Sequence, residues 1–299
     1  MAKLKPGPID ERDLVAYLNS HSDFAFEISV LNRLTSQGFT CEHSATYEDP
    51  ITKKPRQFDL RAKKAFDTKL IRLAVECKHV GANYPLLISC MPRRDEESFH
   101  EVVYSVDPAR VSLRETSGPR IPAFEMRATT ARITGANSVY KPGQPVGKSC
   151  EQVGRTTNDE LTGSDSGIFT KWSQALSSAQ DLVDSACYDG ENGSELAYLS
   201  VVVPVVVIPD GSLWAASYDS DGAVRDAPRQ ESRCPFVVRM QYAGGDAMHG
   251  MNYTISHVEF VTMSGLDELI RDLCGDDSKL DALFPVGEVM SQIKKQSND

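Results

Sequence analysis

Apolar positions recur at helical spacing over residues 23–37, where Phe24, Ile28, Leu31 and Leu34 share one stripe and Gly38 ends it. Ser22 or Asp23 is suited to cap that helix. The pattern then changes to alternation. Residues 39–48, 56–64 and 69–80 read as strands, the last with Ile71, Leu73, Val75 and Cys77 on one face. Residues 81–169 are rich in Gly, Pro, Ser and Thr and weakly periodic, with short strands expected near 100–106, 111–114 and 121–134. A second helix is expected over 170–187. Within 197–208, the run Val201-Val-Val-Pro-Val-Val-Val-Ile208 reads as a strand buried on both faces, with Pro204 implying a bulge or an edge. A strand at 253–262 and helices at 264–274 and 279–295 follow. This order predicts an α/β protein with a mixed central sheet. The first part of the core falls in 1–80, a large insertion in 81–169, and the rest of the core with an α/β C-terminal extension in 170–299.

Composition narrows the class. The 299 residues are 40% hydrophobic and 25% charged, ordinary values for a globular chain with its own core. No apolar run approaches the roughly 18–20 residues of a membrane-spanning helix. The first residues lack the apolar segment of a secretory signal. Seven scattered cysteines with no C-x-x-C pair exclude a zinc ribbon or disulfide framework and point to a reducing cytoplasm. The net charge of −10 argues against a nucleic-acid partner until it is divided along the chain. Residues 51–78 hold nine basic and three acidic side chains, 108–157 hold eight and three, and 181–299 hold eight and twenty. A basic first half is therefore compatible with a polyanion, and an acidic second half can face elsewhere. Solvated faces of unequal composition explain the same division.

Candidate chemistry concentrates where 56–64 and 69–80 form a hairpin. With Asp67-Thr68 as its turn, Asp59 comes opposite Glu76, and the alternation sets Asp59, Glu76 and Lys78 on one face. A slip of one residue would undo that opposition. Facing carboxylates need either solvent or a divalent cation between them, and oxygen donors of this kind suit Mg²⁺ or Mn²⁺. Lys78 could then hold an attacking water or stabilise charge developing on a phosphorane. Glu27 falls on the apolar stripe of its helix, where a buried carboxylate needs a partner, unless it reaches solvent at the stripe's edge.

Glu27 on a leading helix, Asp59 on a hairpin strand and Glu76-Cys77-Lys78 on the next strand together resemble the PD-(D/E)XK nuclease superfamily, the restriction-endonuclease-like fold. The resemblance implies an αβββαβ core over residues 23–80 and 170–208. It implies a metal held by Asp59, Glu76 and the Cys77 main-chain carbonyl, a catalytic Lys78 serving the water, and Glu27 as auxiliary acid. Phe58 departs from the family, which has proline before the Asp. Lys171 and Gln174 on the second helix, and Arg93-Arg94, are candidate nucleic-acid contacts, as are Arg110, Arg114, Arg120, Arg127 and Arg132. His79 is read as packing or a phosphate contact.

Rival motifs carry less. Gly143-Gln-Pro-Val-Gly147-Lys148-Ser149 resembles a phosphate-binding loop, but proline stands at 142 and no apolar strand precedes it. Gly163-Ser-Asp-Ser-Gly167 lacks the context of a hydrolase nucleophile. The six histidines show no metal-ligand spacing. The expectation is a cytoplasmic, Mg²⁺- or Mn²⁺-dependent endonuclease acting on double-stranded DNA, in restriction or antiviral defence. The alternative is a non-catalytic, nuclease-like binding or assembly subunit. A homodimer, or a partner docked on the acidic C-terminal half, fits either reading. There, Leu280, Leu283, Phe284, Val289, Met290 and Ile293 would dock that partner or pack on their own domain.

Overall fold

Asp67 adopts a φ of +52°, a left-handed conformation that aspartate tolerates better than most residues, and with Thr68 it reverses the chain. The strands on either side, Leu60–Phe66 and Lys69–Cys77, pair antiparallel from Phe66↔Lys69 to Leu60↔Val75. This is the register that the alternation implied. The structure is a computed structural model and describes residues 7–20, 22–49, 51–81, 83–107, 127–195, 197–219, 221–243 and 252–296.

The chain begins with helices α1 (Glu11–Ser20) and α2 (Phe24–Ser36), then β1 (Thr40–His43), β2 (Thr46–Glu48) and β3 (Pro55–Gln57). The hairpin strands are β4 and β5. Strands β6 (Leu86–Pro92), β7 (Phe99–Val106), β8 (Ala128–Thr134), β9 (Pro145–Arg155) and β10 (Leu161–Ser164) come next, followed by α3 (Ser166–Ala186) and the short α4 (Asp189–Asn192). The remainder is β11 (Ala197–Ile208), β12 (Leu213–Ser217), β13 (Arg229–Gln230), β14 (Arg233–Ala243), β15 (Asn252–Thr262), α5 (Met263–Cys274), α6 (Asp277–Leu283) and α7 (Val286–Gln296).

Among the described residues, thirteen strands form one mixed sheet whose main path runs β1-β4-β5-β11-β15-β14-β9-β6-β12-β13. The stretch between β5 and α3 contributes five strands to that same sheet. Expected strand residues 111–114 and 121–126 lie outside the described residues. Two apolar layers cover the sheet. Val30 and Leu34 of α2, Leu266 and Leu269 of α5, and Val289 and Ile293 of α7 pack on one face with Ile71, Leu73, Val75 and Cys77. Ile168, Ala175, Leu176 and Ala179 of α3 pack on the other. Burying several such side chains, at about 1.5–3 kcal/mol each, is what holds the helices to the sheet.

Several expectations need correction. The strand foreseen over 39–48 breaks at Ser44, which takes a φ of +52°, and that over 56–64 divides into β3 and β4. β5 stops at Cys77, and Lys78 closes the ladder with its N–H on the Val207 carbonyl at 2.9 Å. The second helix begins at Ser166, earlier than its apolar pattern alone suggested. Pro204 makes neither bulge nor edge: it pairs in unbroken register with Ala74 in a strand central to the sheet. The reason lies on the far side of β11, where the neighbour changes from β7 (residues 197–200) to β15 (residues 205–208). Leu199 N–H and the Val207 carbonyl point towards the β5 side. Even-numbered residues therefore point away from it, and the donor that Pro204 lacks falls where no strand pairs. The helix foreseen over 279–295 is two helices, parted at Phe284-Pro285, since proline cannot continue a helix. Leu283, Phe284, Val289 and Ile293 are fully buried against this chain's own sheet, so they form no docking face.

Candidate functional site

Alternation along β4 and β5 divides the hairpin by chemistry. Leu60 and Ala62, with Ile71, Leu73, Val75 and Cys77, face α2. Asp59, Arg61, Arg72 and Glu76 fall on the face beneath α3. Helix α3 is fastened there by Arg61, whose Nε donates to Ser178 Oγ at 3.0 Å and whose Nη1 donates to Asp181 at 2.7 Å. The Arg61 guanidinium also stacks on Tyr47 and Phe58, 4.6 and 4.3 Å from the ring centres. Two helical turns before Ser178, on the same side of the helix, stands Lys171.

Lys171 bridges the two carboxylates. Its Nζ donates to Asp59 Oδ2 at 2.6 Å and to Glu76 Oε2 at 3.2 Å. Asp59 Oδ2 also accepts the Cys77 backbone N–H at 2.8 Å, and the Asp59 carbonyl accepts Ser44 N–H at 2.9 Å. One further step in the hairpin register sets Asp59 opposite Glu76, as the sequence implied. Glu76 is 1% exposed, and its Oε1 is sealed from solvent with no hydrogen-bond partner. Burial first, and the Asp59 charge second, push the Glu76 carboxyl up to about 8, against the pull of Lys171. Burial opposes the Lys171 charge as well, but Glu76 and Asp59 outweigh it and hold the ammonium above the ordinary lysine range. Near neutral pH the site thus keeps a proton on Glu76 more often than not.

The remaining candidates form a second cluster at the N-terminus of α2. Lys78 Nζ pairs with Asp23 Oδ2 at 3.2 Å, and the His79 N–H donates to Asp23 Oδ1 at 2.7 Å. Glu27 Oε2 lies 3.1 Å from His43 Nε2, with 13% of the Glu27 side chain exposed. Glu27 is close enough to Cys77 to add to the burial and the Asp59 charge that raise its thiol. The lysine in contact with the carboxylates is therefore Lys171, while Lys78, expected on their face, is held by Asp23. The Lys78 backbone still closes the ladder on Val207, and its side chain is engaged by Asp23 at the start of α2.

Gln174 lies one turn along α3 from Lys171, and its side chain makes no hydrogen bond among the described residues. Arg93 is buried against His257, and Arg94 is engaged by Glu96 and Glu97, so neither contacts Asp59 or Glu76. Arg127 and Arg132 pair with Glu191 and Glu101. Arg110, Arg114 and Arg120 lie outside the described residues. The phosphate-loop-like segment opens strand β9 with no helix following, which removes that rival. Asp23 and His43 carry roles the pattern did not assign: Asp23 stands at the N-cap position, but its side chain makes no cap bond and serves Lys78 and His79 instead. Replacing Asp23 with alanine removes two charge-assisted hydrogen bonds and should cost about 1–2 kcal/mol. The expected readout is a lower urea midpoint at unchanged slope; an unshifted midpoint would show that this clasp contributes nothing.

Among the described residues, no group of three or more His, Cys, Asp and Glu side chains is arranged to hold a metal ion. The donor set at Asp59 and Glu76 is nevertheless suited to a hard cation. It offers two carboxyl groups, one oxygen of which has no partner, while the Lys171 ammonium between them occupies the position of positive charge that a cation would have to share or take over. No helix among the described residues is long and apolar enough to cross a membrane. Comparison with family models, with curated proteins and with solved structures finds no match to this chain.

Proposed function

We propose that the protein is a metal-dependent nuclease that hydrolyses phosphodiester bonds in DNA. The observation that carries this reading is Glu76 Oε1, an unpartnered oxygen sealed beside Asp59. A buried acceptor left unmade costs about 1–3 kcal/mol, a cost that a bound cation would remove. Asp59, Glu76 and the Cys77 carbonyl would hold Mg²⁺ or Mn²⁺. Such an ion activates water and stabilises the attacking and leaving oxygens of a phosphodiester. Asp59 is oriented by the Cys77 N–H, so it meets a ligand with little reorganisation. Glu76 must release its proton to become a full ligand. Lys171, and Lys78 beside the acids in sequence, are the cations available to orient water or meet charge on the phosphate.

The order β1-β4-β5-β11, with β5 and β11 parallel and α2 and α3 on opposite faces, supports a restriction-endonuclease-like αβββαβ core. A part in restriction or antiviral defence rests on that resemblance. One observation favours the alternative, a non-catalytic binding subunit: Lys171 already bridges both acids without a metal. Supercoiled plasmid incubated with the protein should be nicked or linearised when Mg²⁺ or Mn²⁺ is supplied, and left intact in chelator. Uncut plasmid, single-stranded DNA and RNA in both metals would sink the nuclease reading and favour the subunit.

A further inference from the structure

A second site lies apart from these carboxylates. A cavity of about 490 Å³ opens among β6, β12, β14, α5 and α6, and shares no lining residue with Asp59, Glu76 or Lys171. Its size falls in the range of small-molecule sites. In a chain of net charge −10, this cavity is basic: Arg93, Lys141, Arg229, Arg233 and Lys279 line it against Glu231 and Asp272.

Most of those cations are already matched. Arg229 Nε meets Glu231 at 2.6 Å. Arg233 grips the fully buried Glu259 through two bonds of 2.9 Å and reaches Asp272 at 2.8 Å, while Lys279 lies 3.8 Å from Asp272. Arg93 and Lys141 are left with no carboxylate within ion-pair distance among the described residues. Arg93 is 3% exposed. Its Nε donates to His257 Nε2 at 3.1 Å, and its Nη1 donates to the Lys141 carbonyl at 2.9 Å and to Gln144 Oε1 at 3.4 Å. Its guanidinium carbon lies 5.3 Å from the Tyr140 ring centre. The Lys141 ammonium donates to the Ala136 carbonyl. These neutral partners hold the two cations in place without a directly paired carboxylate, and Glu259 and Glu97 act on the buried Arg93 guanidinium only from beyond ion-pair distance.

We propose that this cavity binds a small organic phosphate of about mononucleotide size, with its phosphate on Arg93 and Lys141. A phosphate monoester carries about −1.5 to −2 charge near neutral pH, which matches two unpaired cations better than a single carboxylate does. With Nε and Nη1 of Arg93 already engaged, its Nη2 and the Lys141 ammonium are the donors left for the phosphate oxygens. An isolated phosphate would leave most of the space empty, and Val139, Ala215 and Leu273 offer apolar wall for an organic body.

The test is calorimetric titration of the full chain in chelator with AMP, ribose 5-phosphate, inorganic phosphate and citrate. AMP or ribose 5-phosphate should bind at a single saturable site, more tightly than inorganic phosphate or citrate. Lys141→Ala and Arg93→Lys should each weaken that binding by about tenfold or more, about 1.4 kcal/mol. Lys141→Ala keeps the test open if Arg93→Lys does not fold. Lys171→Ala should leave the affinity unchanged. The proposal is overturned by absence of binding of all four probes, by citrate binding as tightly as the phosphate esters, or by wild-type affinity in Lys141→Ala. Loss of binding in Lys171→Ala overturns it too, by assigning the phosphate to the other site. The proposal stands independently of the nuclease reading.

Discussion

Replacing Lys171 with methionine should lower metal-dependent phosphodiester cleavage by about 10²- to 10³-fold, whereas Lys78→Met should cost about tenfold or less. The difference follows from where the two ammonium groups lie. Lys171 Nζ is 2.6 Å from Asp59 and 3.2 Å from Glu76, in a part-buried site beneath α3. Charge developing on a phosphate held at those acids would meet Lys171 at short range and low effective dielectric. Lys78 spends its charge on Asp23, in a more exposed setting. Methionine keeps most of the aliphatic stem, so packing along α3 is largely retained and the loss reports on charge. The check is single-turnover plasmid cleavage by both variants, with Asp59→Ala as the inactive reference. The opposite ranking would return the water-handling role to Lys78, in keeping with the motif. Equal, small effects would remove both lysines from the chemistry.

Between about pH 5 and about pH 8 the metal-free protein should lose stability relative to Glu76→Gln, and its affinity for Mn²⁺ should rise by about tenfold for each step of one in pH. Both follow from the Glu76 carboxyl, raised to about 8 in the folded protein from an ordinary value of 4.5. A group raised on folding favours the native state while protonated. Its contribution is complete below the unfolded value and is lost as pH climbs through the folded one. Each tenfold gain in proton affinity on folding is worth about 1.4 kcal/mol, so the loss amounts to a few kcal/mol. A metal that needs the carboxylate must displace that proton, so apparent affinity grows with pH until about 8 and then levels. Urea unfolding in chelator across this range, with Glu76→Gln as the comparison that cannot titrate, measures the first effect. Mn²⁺ titration followed by melting temperature measures the second. A flat wild-type stability profile, parallel to that of Glu76→Gln, would mean that Glu76 is ionised throughout and that Lys171 dominates its environment.

The hairpin, its register and the opposition of Asp59 to Glu76 were legible in the amino-acid order, because each is a local matter. A period of two sorts side chains between two faces, and a turn at Asp67-Thr68 leaves one pairing that keeps the apolar set together. The α2 helix and the apolar strand at 197–208 were legible for the same reason, although the helix buries Val30 and Leu34 with Phe26 and Leu31 beside them, and Phe24 of the expected stripe is 58% exposed. The break at Pro285 is equally local, although the apolar spacing on either side of it reads through as one helix. Other features depended on contacts between distant parts of the chain. Pro204 sits without a bulge because β7 gives way to β15 beside it, a fact about neighbours that its own strand cannot encode. Lys171 reaches Asp59 across 112 positions because Arg61 fastens α3 over the hairpin. From the sequence alone it was, with Gln174, a candidate nucleic-acid contact on the second helix and not a partner of the acids. The residue types that can do chemistry, and their local spacing, are properties of the sequence. Which cation meets which acid, and how far burial shifts a proton, were decided by the tertiary structure, since desolvation and charge proximity exist only once the helix has closed over the sheet.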